Sequence, residues 1–278
     1  LSRERLQPWQ HPGMPTSLTH PSQAPTPATS LSARPPAQAM VLAAGRGERM
    51  RPLTDQTPKP LLRVRGQPLM HWPMQALARG GFVQQLVNTA WLGEQFPAHL
   101  GEHIQWPGVP EVHIRYSHEG QDFGCALETA GGIVRALPQL DEVFWVVAGD
   151  VFAPDWVFTQ HAVQRFTAST APAHLWLVPN PAHNPGGDFG LSAEGQVLNL
   201  PKGSPGCAYT FSTVALYKKA FFADCGLPPG NPGGVALALA PLLRAAMDRG
   251  QVSGEVYDGD WTDVGTPERL SQLNGGIT

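Results

Sequence analysis

The chain has 278 residues, 42% of them hydrophobic and 15% charged, with a formal net charge of −3. That length suits one large α/β domain or two small ones. The acidic balance gives no overall positive field for nucleic acid, and no run of about 20 apolar residues is long enough to span a bilayer. The cysteines Cys125, Cys207 and Cys225 are scattered and hold no metal-ligand spacing. They read as reduced thiols of a cytoplasmic protein, each a small buried hydrophobe.

Residues 1–37 are rich in Pro, Ser, Thr and Gln and lack apolar periodicity. Such a segment buries too little apolar surface to offset its ordering entropy, so it is read as a disordered tail ahead of one domain over 38–278. It contains Arg3, Arg5 and Arg34 and a single acid, Glu4. An organellar transit peptide shares that bias, but dense prolines oppose the amphipathic helix such a peptide needs. A start assigned too far upstream, with Met14 and Met40 following, is the preferred account of the tail.

Ordered elements are expected from Ala39. Ala39–Ala44 is a short apolar run ending in glycines, as a buried parallel strand would be. Gln67–Arg79 has helical spacing, with Pro73 near its first turn and Gly80-Gly81 as its stop. Phe82–Thr89 and His113–Ser117 read as strands. Thr129–Leu137 reads as a helix, and Glu142–Ala148 as a central strand. Strands over His174–Val178, Gly195–Leu200 and Tyr209–Tyr217 follow. A helix over Val235–Arg249 precedes short strands at Glu255–Tyr257 and Trp261–Val264. Strands alternating with helices predict a doubly wound, mainly parallel α/β sheet in a single domain.

The strongest local signal is the stretch Leu42-Ala43-Ala44-Gly45-Arg46-Gly47-Glu48-Arg49-Met50-Arg51-Pro52-Leu53-Thr54. Its glycines let the backbone turn tightly and let a ligand approach without meeting a Cβ. Successive N–H groups can then face phosphate oxygens, and Arg46, Arg49 and Arg51 add cations that grip phosphate. A Walker loop would need Gly-Lys-Ser/Thr, and a dinucleotide fingerprint would need glycine where Met50 stands and an acid at the end of the second strand. Asn88-Thr89 closes that strand instead, so a nucleotide loop of another kind remains. Thr57-Pro58-Lys59-Pro60 follows closely, with Lys59 held between prolines as a positioned charge. Asp150 ends the apolar strand, where ligands of open α/β sheets bind. The ten histidines show no metal-ligand spacing.

These residues resemble the sugar-phosphate nucleotidyltransferase family, whose signature is L-A-A/G-G-x-G-x-R-x-x-P-L-T followed by P-K-P; every position is matched here. The resemblance extends through Gly149-Asp150 to Trp261-Thr262-Asp263-Val264-Gly265-Thr266. It implies a nucleotide-diphospho-sugar transferase fold and transfer of a nucleotidyl group from an NTP to a sugar 1-phosphate, with release of pyrophosphate. It also implies Mg²⁺ held by Asp150 and Asp263, with Arg49 and Lys59 as catalytic cations. Ala43, Ala44, Gly45, Gly47 and Gln121 would contact the nucleotide. Glu128, Gly132, Asn180 and Asp188 would contact the sugar, with Thr129 as a helix N-cap nearby and Lys202 in the same half. Leu127-Glu128-Thr129-Ala130-Gly131-Gly132 is similar to the N-acetylmuramate 1-phosphate uridylyltransferases of cell-wall sugar recycling. Asn88–Gly93 and Gly187–Phe189 point the same way. Ala148 departs from that subgroup's usual Asn, and Gln121–Ala126 is longer than its shortest loops. Mannose-1-phosphate guanylyltransferases and glucose-1-phosphate uridylyl- or thymidylyltransferases share the outer signature. A non-catalytic nucleotide-sugar sensor on the same fold is the alternative of a different class. Small-molecule substrates are the expected partners, with no protein partner indicated.

Overall fold

The computed structural model describes residues 35–276. The expected disordered tail falls on residues 1–34, outside the described residues, apart from its last few positions. The first strand, β1, starts at Ala37. Seven more strands join it in one sheet: β2 (Gln84–Thr89), β3 (His103–Ile104), β4 (Val112–His118), β5 (Leu140–Ala148), β6 (Ala173–Pro179), β7 (Tyr209–Lys218) and β8 (Val252–Val256). Their order is β8-β6-β7-β5-β1-β2-β4-β3. The pairs β5-β1, β1-β2, β2-β4 and β6-β8 are parallel. Edge strand β3 runs antiparallel to β4, and β7 runs antiparallel between β6 and β5. The sheet is mainly parallel, as predicted, with a reversed strand inside it.

The helices are α1 (His71–Arg79), α2 (Gln95–Leu100), α3 (Glu119–Phe123), α4 (Glu128–Ala136), α5 (Gln160–Ala168), α6 (Leu239–Asp248) and α7 (Pro267–Leu273). Side chains alternate across a strand, so each strand feeds two cores. Val41, Trp145 and Val147 pack with Met74 and Leu77 of α1, Phe96 of α2 and Phe166 of α5. Met40, Phe144 and Val146 pack on the other face with Ile133 and Val134 of α4 and Leu243 and Met247 of α6. The sheet is therefore buried on both sides, which explains why its central strands are continuous apolar runs.

Several boundaries differ from the sequence reading. The helix expected from Gln67 starts at His71, because residues 67–68 pair with 63–64 in a small ladder. The strand expected over 195–200 shrinks to Val197–Leu198. Cys207 is buried and Cys225 half-buried, but Cys125 is exposed. It follows the left-handed Gly124 that ends α3, in a turn nothing covers. Among the described residues no helix is long and apolar enough to cross a membrane.

Candidate active site

The chain runs from β1 outward through β2 to the edge pair of β3 and β4, then returns to β5 on the other side of β1. The carboxyl ends of β1 and β5 therefore flank a switch point, where open α/β sheets form a ligand crevice. The glycine loop leaves β1 here and Asp150 leaves β5. Their strand ends are tied by Gly149 N–H donating to the Leu42 carbonyl at 2.8 Å.

The loop has a built shape. Gly47 has φ +65°, and a Cβ there would lie 3.1 Å from both Lys59 Cβ and Thr54 Cγ2. Thr54 Oγ1 donates to the Gly47 carbonyl at 2.9 Å, clamping the turn. Ala43 N–H donates to Asn88 Oδ1 at 2.9 Å, so it braces the loop against β2 and is not open to a phosphate. By contrast, the backbone N–H groups of Gly45, Arg46 and Gly47 donate to no acceptor among the described residues. Open space lies beside Gly45. Backbone donors left unpaired beside open space form an anion-binding concavity.

The three arginines divide their work. Arg46 lies 3.7 Å over the Trp91 ring and donates to Thr54 O and Asp55 Oδ1. Arg51 also pairs with Asp55, at 2.8 Å. Hydrogen bonding from Arg46, with Arg51 in support, holds the Asp55 carboxyl below its usual range. Arg46 and Arg51, expected to face phosphate, are thus committed to the loop itself. Arg49 is exposed and makes no ion pair among the described residues, which leaves its guanidinium for a ligand.

Lys59 is only 8% exposed and begins a single tight helical turn between two buried prolines. Its Nζ donates to Asp150 Oδ2 at 2.5 Å. Beyond Asp150, Val151–Phe152 pairs antiparallel with Thr262–Asp263, and Val264 N–H donates to the Asp150 carbonyl at 3.0 Å. Asp150 directly precedes one of these strands and Asp263, far off in the chain, ends the other, so the pairing brings the two acids together. Asp263 Oδ1 accepts from Arg269 of α7 and lies 2.7 Å from His183 Nε2. Asp150 Oδ1 and Asp263 Oδ2 accept no hydrogen bond among the described residues. Hard, partly solvated carboxylate oxygens with spare lone pairs fit Mg²⁺, which takes one or two carboxylates and completes its shell with water and phosphate.

Sequence reasoning missed Glu119. Its carboxylate is fully buried, accepting from Asn88 Nδ2 and Leu127 N–H, each at 2.8 Å. Burial pushes its pKa above the usual carboxylate range, against the pull of these two donors. A chain of hydrogen bonds thus runs from Ala43 through Asn88 and Glu119 to the start of α4. The only signal in the sequence was an acid directly after a strand, which is not distinctive.

The predicted sugar-side residues fall into two groups. Glu128 is exposed at the start of α4 with φ +60°, a conformation few non-glycine residues adopt. Thr129 lies inside that helix, so it is not the N-cap; Leu127 holds that position. Gly132 is buried, and a Cβ there would lie 2.5 Å from Glu119 Oε1, so its immediate neighbour is the buried carboxylate. Gln121 is exposed on α3. Asn180 and Asp188 belong to a second network: Asn180 Nδ2 donates to the Cys207 carbonyl, and Asn184 bridges Asp188 and Thr210. Phe211 N–H donates to Asp188 Oδ2 at 3.0 Å. These bonds fasten the 180–188 loop to β7, and His183 of the same loop reaches Asp263. Lys202 is exposed alongside Gly186.

With this geometry established, comparison with known proteins gives the class. The nucleotidyl transferase family model matches residues 38–278, and the chain belongs to that family. It is therefore an enzyme-family member of the kind that moves a nucleotidyl group onto a sugar 1-phosphate. Among curated relatives, the N-acetylmuramate alpha-1-phosphate uridylyltransferase of Neisseria meningitidis serogroup B is 47% identical over 240 residues, covering 84% of this chain and 96% of that protein. The enzyme of the same name from Caulobacter vibrioides is 31% identical, covering 84% and 93%. A Bacillus anthracis crystal structure assigned as a glucose-1-phosphate thymidylyltransferase superposes with a TM-score of 0.69 at 21% identity, covering 86% of this chain and 94% of that one. That likeness supports the nucleotide-sugar transferase fold alone.

Proposed function

We propose that the chain transfers uridylyl from UTP to N-acetylmuramate 1-phosphate, giving UDP-N-acetylmuramate and pyrophosphate for cell-wall sugar recycling. The observation that carries the chemistry is the row of N–H groups at Gly45–Gly47 that are unpaired among the described residues, with Arg49 in no ion pair among those residues and the Lys59–Asp150 pair packed against the loop at Gly47. The choice of sugar and base rests on the two relatives of that name.

A phosphate oxygen of the sugar 1-phosphate attacks the α-phosphorus in line. The new P–O bond forms as the bond to the β-phosphate oxygen breaks, and pyrophosphate carries away the electron pair. The attacking phosphate needs no deprotonated enzyme nucleophile, so the protein's task is to hold two anions together and offset their repulsion. In this reading the loop N–H groups and Arg49 hold the triphosphate. Lys59, positioned by its prolines and Asp150, contacts the α-phosphate or the incoming phosphate. Ala44 and Gly45 shape the nucleotide floor, and Gln121 faces the base. Glu128, Asn180 and Asp188 line the sugar side. Mg²⁺, held by Asp150 and Asp263, would neutralise phosphate charge and orient the reacting groups.

The test incubates purified protein with Mg²⁺, each NTP in turn and a panel of sugar 1-phosphates, and follows pyrophosphate release. UTP with N-acetylmuramate 1-phosphate should exceed every other pair in kcat/KM by about tenfold or more, the least discrimination that even one unmatched methylene gives. Preference for GTP with mannose 1-phosphate, or for glucose 1-phosphate, would replace the substrate assignment within the same family. UTP binding with no pyrophosphate release would favour the sensor.

A further inference from the structure

At the sheet's edge, away from the crevice, β3 and β4 set two histidines face to face. His103 and His113 are direct partners in the antiparallel ladder, with ring centroids 4.8 Å apart at 86°. Glu111 lies two residues before His113, and side chains two apart on an extended chain project to the same side. Its Oε2 is 4.0 Å from His113 Nε2, beyond hydrogen-bond range. One donor atom from each of the three residues lies within 4.8 Å of the other two. His103 and Glu111 are exposed and His113 is half-buried, so all three side chains can turn. The primary sequence shows no metal spacing among these histidines; only the strand pairing creates it.

The geometry points to a transition-metal site formed by His103, Glu111 and His113. Two imidazoles and a carboxylate are a zinc donor set, with bonds of about 2.0–2.2 Å and the donors about 3.3 Å apart around the ion. Closing from the observed spacing, at most 4.8 Å between donors, to about 3.3 Å brings the donor atoms together by up to about 1.5 Å. Nitrogen donors select Zn²⁺, Ni²⁺ or Cu²⁺ over Mg²⁺, which prefers oxygen. The site is therefore chemically distinct from the Asp150–Asp263 pair. It is also distant. His113 lies near the amino end of β4, whereas the crevice lies beyond the carboxyl end, five residues on at His118, or about 16 Å at about 3.3 Å per residue. β3 has only two residues. An ion shared across β3 and β4 would fasten this short edge strand, and the 105–110 turn behind it, to the sheet. A ligand that binds only the folded state stabilises it.

The experiment uses the full chain stripped with a chelator. It is titrated with Zn²⁺ by calorimetry and with Co²⁺ by visible absorption, in a large excess of Mg²⁺. Wild type, His103→Ala, His113→Ala, the double variant and Cys125→Ser are compared, with Tm recorded with and without Zn²⁺. Expected are saturable binding of a single equivalent, a tetrahedral Co²⁺ spectrum and a Zn²⁺-dependent rise in Tm. Each histidine variant should lose at least the roughly tenfold affinity that even outer-shell changes cost, while Cys125→Ser binds normally. Pyrophosphate release in Mg²⁺ should be unchanged in the histidine variants. Undiminished binding in the double variant, loss in Cys125→Ser, or no saturable binding to wild type would overturn the site. None of these outcomes depends on which sugar the crevice accepts.

Discussion

Arg49 is distinguished from Arg46 and Arg51 by what it does not touch. Asp55 occupies its two neighbours, leaving Arg49 as the loop's uncommitted guanidinium among the described residues. Arg49→Ala should therefore lower kcat by about 10²–10³, the usual cost of one preorganised charge donor, with Tm close to wild type because the side chain is exposed and holds no ion pair among the described residues. Asp150→Ala should cost at least as much in turnover. Its Tm should fall as well, since Lys59 is left buried without its partner. Steady-state kinetics and thermal unfolding of both variants check this; wild-type kcat in Arg49→Ala would remove Arg49 from the proposed mechanism.

At the scale of elements, the approach of α4 to β2 and α3 depends on a missing side chain. Gly132→Ala would put a Cβ 2.5 Å from Glu119 Oε1 and 3.1 Å from Asn88 Nδ2. Helix propensity alone favours alanine, so an isolated α4 would gain from the change. The folded protein should instead lose about 1–3 kcal/mol to overpacking. KM for the nucleotide should also rise, because Asn88 is the group that braces Ala43 in the loop. Chemical denaturation with parallel kinetics tests both parts. Unchanged stability would mean that Glu119 can move aside without cost.

Across the whole molecule, the buried His71 and Glu119 and the half-buried His174 give stability opposing dependences on pH. Burial lowers the pKa of His71 from 6.5 to about 4, with His99 and Arg63 adding to the shift. Burial likewise lowers that of His174 to about 4, against the attraction of Glu255. For both, the unfolded chain binds the extra proton between pH 6.5 and about 4. Stability should therefore fall as pH drops through that window. Glu119 has the opposite sign: its folded pKa lies above 4.5, so the folded state holds the proton. Its contribution is full below pH 4.5 and is lost as pH rises through the raised value. Unfolding free energies measured from pH 4 to 8 should show a net rise with pH from the two histidines. His174→Gln should flatten that rise, and Glu119→Gln should steepen it, by removing the opposing slope. A pH profile unaltered in both variants would contradict these assignments.

The glycine loop, the Pro-Lys-Pro segment and the central apolar strands were legible because each is local. Turn chemistry, restricted backbone and apolar runs act over a few neighbouring residues, and a family signature is written in the same short stretches. β7's reversed direction was not legible, since an antiparallel and a parallel buried strand share one apolar pattern. The same holds for the short capped helix α5, whose only fully buried residue is Phe166. Glu119 could not be told from a surface acid until Asn88 and Leu127 surrounded it. The pairing of Arg46 and Arg51 with Asp55, the adjacency of Asp150 and Asp263, and the facing of His103 and His113 all arise where strands and turns distant in sequence are brought side by side. Residue order can specify which groups a chain carries; which of them meet depends on how hydrogen-bonded strands and packed helices close over one core.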